Sequence, residues 1–260
     1  MRRRISLPRN HHMHPTRVLA LGFLSVILIG AFLLMLPISA TSGKSVGFLT
    51  ALFTATSCVC VTGLTVVEVG LVYTGFGQFV MMCLIQIGGL GFMTAAALLF
   101  MAIGKRITLR ERMTIAEGLN EDGIAGQVRL VRSVVLMTAV IESIGATLLA
   151  FKFVPIYGWG RGIWYSVFHA ISAFCNAGFD VLGYGNSIVN FNNSPYLLLV
   201  IASLIILGGL GFTVISDILK KKRFATLHLH SKVVLIMTGS LLLIGTVLFY
   251  LYESGNPATM

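Results

Sequence analysis

An all-α membrane protein, made of repeated helix, re-entrant pore loop, helix units, is the fold class that three observations on this sequence predict. The composition is 56% hydrophobic and 11% charged with a mean hydropathy of +0.90, more apolar surface than 260 residues can hide inside a water-soluble domain. Five apolar runs are long enough to cross a bilayer, at 18–36, 79–103, 133–151, 196–218 and 233–252. A segment between the first two runs, ALFTATSCVCVTGLT at 51–65, returns in altered form between the next two, as SVFHAISAFCNAGFD at 166–180.

The two copies match without a gap at Phe53/Phe168, Ala55/Ala170, Ser57/Ser172, Cys60/Cys175 and Gly63/Gly178, so the repeat is about 115 residues long. A second echo follows each copy, IGGLGF at 87–92 and LGGLGF at 207–212. In order along the chain, residues 1–16 form a basic cytoplasmic tail and 17–104 a first pore repeat. Residues 105–128 form a cytoplasmic connector that contains the helix-compatible TLRERMTIAEGL. A second pore repeat covers 129–222, and 223–260 open a third with its first helix only, so the sequence reads as part of a longer protein.

Within each repeat the short helices predicted at 46–57 and 162–173 cannot span. Twelve helical residues rise only about 18 Å, and glycine then breaks the helix. They are predicted to be re-entrant, with non-helical backbone at membrane depth tolerated because protein or water surrounds it.

The net charge of +10 is a statement about topology rather than about nucleic acid. Sixteen of the nineteen basic residues fall in three clusters, at 2–17, 105–132 and 220–232, leaving Lys44, Lys152 and Arg161 on the opposite side. Positive charge collects in the cytoplasm, so the amino terminus is predicted inside and both pore loops are predicted to enter from outside. The run at 2–4 has no small-residue cleavage site after it and reads as an inner flank rather than a signal peptide. Cys58, Cys60, Cys83 and Cys175 lie in apolar or re-entrant sequence at no zinc spacing and are expected to be reduced. His11, His12 and His14, like His228 and His230, read as parts of basic cytoplasmic segments.

The chemistry expected of the loops is cation dehydration. Backbone carbonyls replace a hydration shell best where the chain is extended around an axis, and glycine permits that backbone. Candidates are Cys60, Val61, Thr62 and Gly63 in the first copy and Cys175, Asn176, Ala177 and Gly178 in the second. The preceding helices aim their partially negative C-terminal ends at the same place. Glu142, an acid within a spanning run, either braces a filter backbone through hydrogen bonds or is protonated and satisfied. Glu68 and Asp180 follow the two filters on the outer side, where they either concentrate cations or are merely solvated. The glycines of IGGLGF suit close helix packing; the strand and acidic residue of a nucleotide fingerprint are missing.

VCVTGL at 59–64, SAFCNAGF at 172–179 and the IGGLGF/LGGLGF pair within the second helix of each repeat resemble the Ktr/Trk/HKT superfamily. The resemblance covers essentially the whole chain and is nearest to the membrane subunit of bacterial Ktr potassium-uptake systems. It implies four repeats around a pseudo-fourfold axis, each giving one filter glycine, of which two are present here. It further implies potassium uptake across the inner (plasma) membrane through a backbone-carbonyl filter. Glycine at the filter positions accompanies potassium preference in that family and serine at the first position accompanies sodium transport, so Gly63 and Gly178 fit potassium. The resemblance assigns a gating loop to the third repeat, which has no counterpart in these 260 residues. No cofactor is implied in the chain itself, potassium being the transported ion and sodium dependence being left open. A homodimer is implied, resting on a cytoplasmic ring of KtrA-like nucleotide-binding regulatory subunits that would dock on the links at 105–132 and 220–232.

Three other readings compete. An intramembrane enzyme would use Glu142, His169 and Asp217, but no nucleophile and base spacing joins them. An alternating-access carrier would show inverted repeats, whereas both repeats here begin inside. A truncated, non-conducting assembly subunit is the third.

Overall fold

The computed structural model of the chain describes residues 15–91, 127–183 and 187–255. The first helix, α1 (Pro15–Met35), opens on a proline suited to a first helical turn and ends just before Pro37, which cannot continue it. After a single 3-10 turn, Ala40 pairs with Tyr73 across an antiparallel bridge, closing a loop that holds α2 (Phe48–Val59) and the one-turn α3 (Val69–Val72). Thr74 then caps α4 (Gly75–Leu90) by accepting the Gly77 amide at 3.3 Å. Helices α1, α2 and α4 pack on one another, with Leu84 of α4 seated where a side chain at Gly30 of α1 would be.

The second unit is built alike. Helix α5 (Gln127–Phe174) is broken at Gly158 (φ 78°, ψ 169°) into an outgoing arm, 127–157, and a returning arm, 159–174. The arms fold back on each other: Phe153 and His169 have ring centroids 5.4 Å apart, and the Cys175 thiol lies 4.0 Å from Glu142. Helix α6 (Pro195–Leu210) packs on α5, and Leu204 sits against Gly145 as Leu84 sits against Gly30. The pairs Gly30/Gly145 and Leu84/Leu204 occupy corresponding places in the two repeats. A short α7 (Phe212–Lys221) follows, and a final helix, α8 (Leu229–Glu253), buries Ser231 and exposes most of its apolar side chains.

The chain is thus mostly helical and its helices are apolar. Among the described residues, Val131–Phe174 and Leu229–Glu253 are long and apolar enough to cross a membrane, and the pair α6 and α7 makes a third if taken as one broken span.

Two expectations need correction. The runs at 79–103 and 196–218 are not uninterrupted helices, because α4 stops at Leu90 and α6 at Leu210. The next residues, Gly91 (φ 81°, ψ 136°) and Gly211 (φ 87°, ψ 146°), take a conformation that only glycine adopts at little cost, and beyond Gly211 the chain bends by 96°. IGGLGF and LGGLGF therefore mark helix ends, not helix interiors. The short helices also run later than predicted, to Val59 and Phe174. Residues 1–14 of the tail expected at 1–16, and residues 105–126 of the connector expected at 105–128, lie outside the described residues.

Candidate cation site

Past the ends of α2 and of the returning arm, the backbone does the same thing twice. The amides of Cys60, Val61 and Thr62 turn back onto the carbonyls of Thr56, Cys58 and Ser57 at 2.8, 3.3 and 3.0 Å. One repeat later, the amides of Cys175, Asn176 and Ala177 turn back onto Ile171, Ala173 and Ser172 at 2.9, 3.0 and 2.7 Å. Val61 and Asn176 both have positive φ, 54° and 58°, and Gly63 and Gly178 share φ 72°. Non-glycine residues at positive φ are uncommon, and two at matched positions mark a required backbone. With the amides engaged in the helix ends, the carbonyls are the groups each loop has left to offer.

The two loops meet. A Cβ on Gly63 would stand 2.5 Å from the Ala177 carbonyl oxygen and 3.4 Å from the Gly178 backbone. Gly70 and Gly183 pack together a little further along, again backbone to backbone. Above the contact lies a cavity of about 350 Å³ on which Gly63, Gly178, Glu68 and Asp180 all border. Gly63, Gly178, Glu68 and Asp180, four of the residues singled out in the sequence, thus line one cavity.

Second-helix glycines hold the loops from behind. Side chains at Gly88 and Gly208 would collide with the carbonyls of Val59 and Phe174, the last residues of the two short helices. Gly89 makes room for the Cys175 side chain, so α4 of the first repeat supports the loop of the second.

Polar side chains join the repeats as well. Gln86 of α4 donates to both carboxylate oxygens of Glu142, at 3.0 and 3.1 Å, and the Cys175 thiol points at the Gln86 carbonyl oxygen at 3.6 Å. Glu142 therefore reaches the second loop through Gln86 and a thiol, not through filter backbone. Two turns earlier, Gln78 accepts from the Trp164 indole at 2.6 Å and donates to the Tyr73 carbonyl at 3.1 Å. Neither glutamine was singled out in the sequence, although an amide inside an apolar run needs a partner and is itself a signal.

The two acids, Glu68 and Asp180, differ. Glu68 is exposed, whereas Asp180 is half-buried, with Oδ1 accepting from the Leu182 amide and Oδ2 from the Ile188 amide, both at 2.8 Å. Its Oδ1 also lies 3.2 Å from His169 Nε2. Burial works against ionisation of Asp180, but the hydrogen bond and charge of His169, together with the two amides, outweigh it and hold the carboxyl below the usual range. All four cysteines are free.

Residues 5–249 match the TrkH family, described as cation transport proteins. The chain is 48% identical over 248 residues to the Ktr system potassium uptake protein B of Bacillus subtilis, covering 95% of this chain and 54% of that relative. It is 46% identical over 246 residues to the protein of the same description from Vibrio alginolyticus, covering 94% and 53%. It is also 45% identical over 241 residues to the potassium/sodium uptake protein NtpJ of Enterococcus hirae, covering 93% and 53%. The chain spans about half the length of these curated relatives. All three are transport proteins, which sets the enzyme reading aside.

Proposed function

The chain belongs to the TrkH family of cation transport proteins, and on that premise we propose that it takes up potassium across the plasma membrane as the ion-translocating subunit of a Ktr-type system. One observation carries this reading: two backbone loops of matched dihedral angles, 115 residues apart, touch at Gly63 and Gly178. The carbonyls at 60–63 and 175–178 would replace the water of a passing cation, with the helix ends of α2 and the returning arm adding partial negative charge. In this reading the loops are re-entrant, and two of them make half of a ring with pseudo-fourfold symmetry. Glu142 braces the second loop by way of Gln86, and Glu68 draws cations to the outer cavity. A homodimer on a KtrA-like nucleotide-binding ring completes the proposed system.

Potassium uptake in uptake-deficient cells, by a transporter assembled with this chain, tests the reading. Gly63→Ser is expected to weaken discrimination against sodium; unchanged affinity and selectivity in both Gly63→Ser and Gly178→Ser would remove the loops from the filter. Orientation follows from a thiol reagent that cannot cross the membrane. A cysteine at Lys44, with the native cysteines removed, is expected to react in intact cells, and one at His230, which is exposed, is expected to be silent until the membrane is opened.

A further inference from the structure

We infer that His169 carries a proton on both ring nitrogens and is the positioning residue that holds and neutralises Asp180 at the mouth of the second pore loop, so that protons set how strongly this mouth attracts cations. The inference rests on the reading of the loops as a conduction path.

The ring geometry requires two donors. Nδ1 lies 2.7 Å from the Tyr165 carbonyl oxygen, which can only accept, so Nδ1 bears a hydrogen. Nε2 lies 3.2 Å from Asp180 Oδ1. The carboxyl already accepts one amide on each oxygen, the arrangement that favours the ionised, acceptor-only form. Nε2 must then donate too, and an imidazole that donates from both nitrogens is a cation. The side chain is 1% exposed, between Phe153 and Phe168, where an unpaired charge would be costly and the Asp180 carboxylate supplies its partner.

The first repeat lacks the device. Thr54 stands where His169 stands in the second, and Thr65 where Asp180 stands, so both members of the pair differ together between the copies. Thr54 instead accepts from the Tyr73 hydroxyl at 3.3 Å, a neutral contact.

The pair is placed to act on cations. Asp180 is two residues beyond Gly178 and borders the cavity that holds Gly63, Gly178 and Glu68. His169 borders a second cavity, of about 240 Å³, that also reaches Gly178 and is lined on its α6 side by Ile201 and Ile205. Among the described residues, the other titratable groups around the pair are Tyr165 on the returning arm, Tyr157 on the outgoing arm and Glu68 across the outer cavity. With His169 protonated the pair has no net charge. Loss of the Nε2 proton would leave the pair with one net negative charge at the mouth.

Two measurements test this. In the first, the chain is placed in lipid bilayers with His11, His12, His14, His228 and His230 replaced by glutamine, and ¹⁵N NMR reads His169 alone. Two protonated ring nitrogens are expected at low pH, with one proton released in a single step on raising the pH. A ring with one proton throughout, about pH 5 to about pH 8, overturns the inference. In the second, potassium uptake is followed in a transporter assembled with the chain. The apparent KM for potassium is expected to fall about three- to tenfold between about pH 6 and about pH 8, with maximal rate little changed. His169→Gln and Asp180→Asn are expected to flatten that dependence while retaining uptake. A His169→Gln transporter as pH-dependent as the wild type overturns the inference. Absence of uptake in the wild type counts against the conduction reading itself and leaves the NMR result to decide the proton.

Discussion

In the first loop the hydroxyl of Ser57 meets the hydroxyl of Thr62 at 2.8 Å, whereas in the second the equivalent Ser172 donates to the carbonyl of Phe179 at 2.9 Å. Behind the first loop stands the neutral Thr54 and Tyr73 contact; behind the second stands the His169 and Asp180 pair. The backbones nonetheless agree to within a few degrees at the positive-φ positions. What the two copies have in common is therefore carried by main-chain hydrogen bonds, glycine and a helix end, and what differs is the set of side chains that wedge this frame in place. Between these two copies the side chains around the loop have changed while the backbone conformation has not.

The steepest test of this comparison is at the glycines. Gly63→Asp is expected to abolish uptake, since its carboxylate would be forced onto the Ala177 carbonyl. The milder Gly63→Ala and Gly178→Ala are expected to separate the repeats. Each costs about 1–2 kcal/mol for a left-handed backbone with a Cβ, but only Gly63 adds a collision, because the nearest atom to a Cβ on Gly178 is 3.8 Å away. Uptake and thermal unfolding measured side by side should show Gly63→Ala as the more damaged variant. Equal damage would mean that the contact between the loops does not matter.

Gly88→Ala and Gly208→Ala probe a feature that the repeats share. Both are expected to destabilise the protein by about 1–3 kcal/mol, because each methyl group meets a carbonyl at the end of a short helix. A harmless Gly208→Ala, read by thermal unfolding, would show that the second loop is not held from behind as the first is. Glu142→Leu is expected to cost about 1–3 kcal/mol by leaving the Gln86 amide without its acceptor, while Glu142→Gln retains assembly and most uptake. Loss of transport in a well-assembled Glu142→Gln protein would show that the charge itself is needed. The smallest effect is expected from Tyr73→Phe, which removes one 3.3 Å hydrogen bond and should lower stability by about 0.5–1.5 kcal/mol without changing selectivity.

Much of this arrangement was legible in the sequence because duplication wrote it twice. Gly63 and Gly178 could be named from alignment of the copies alone, and their matched dihedral angles agree with that alignment. The break at Gly211 was missed because apolar residues continue on both sides of it, so hydropathy shows one run where the backbone makes two helices. Gly158 was missed because the helix continues beyond the apolar run that ends at Phe151, through Lys152 and Pro155, so hydropathy stops before the backbone turns. The Gln86 bridge to Glu142 crosses 56 positions, and no local pattern announces a partner at that range. His169 was visible in the sequence as an ionisable group beside the membrane runs, but its meaning required the position of Asp180 in space.

The bend at Gly211 also has a mechanical side. Asp217 of α7 accepts from the His228 amide and the Ser231 hydroxyl at 2.8 Å each and pairs with Lys221 at 3.0 Å. Helix α7, about 15 Å long, is thus set off from α6 by one glycine and tied through Asp217, midway along it, to the link that leads into α8. Gly208, one turn before that glycine, rests on the carbonyl of Phe174. The link and the foot of the second loop are thus connected through one ten-residue helix and the contacts at its two sides.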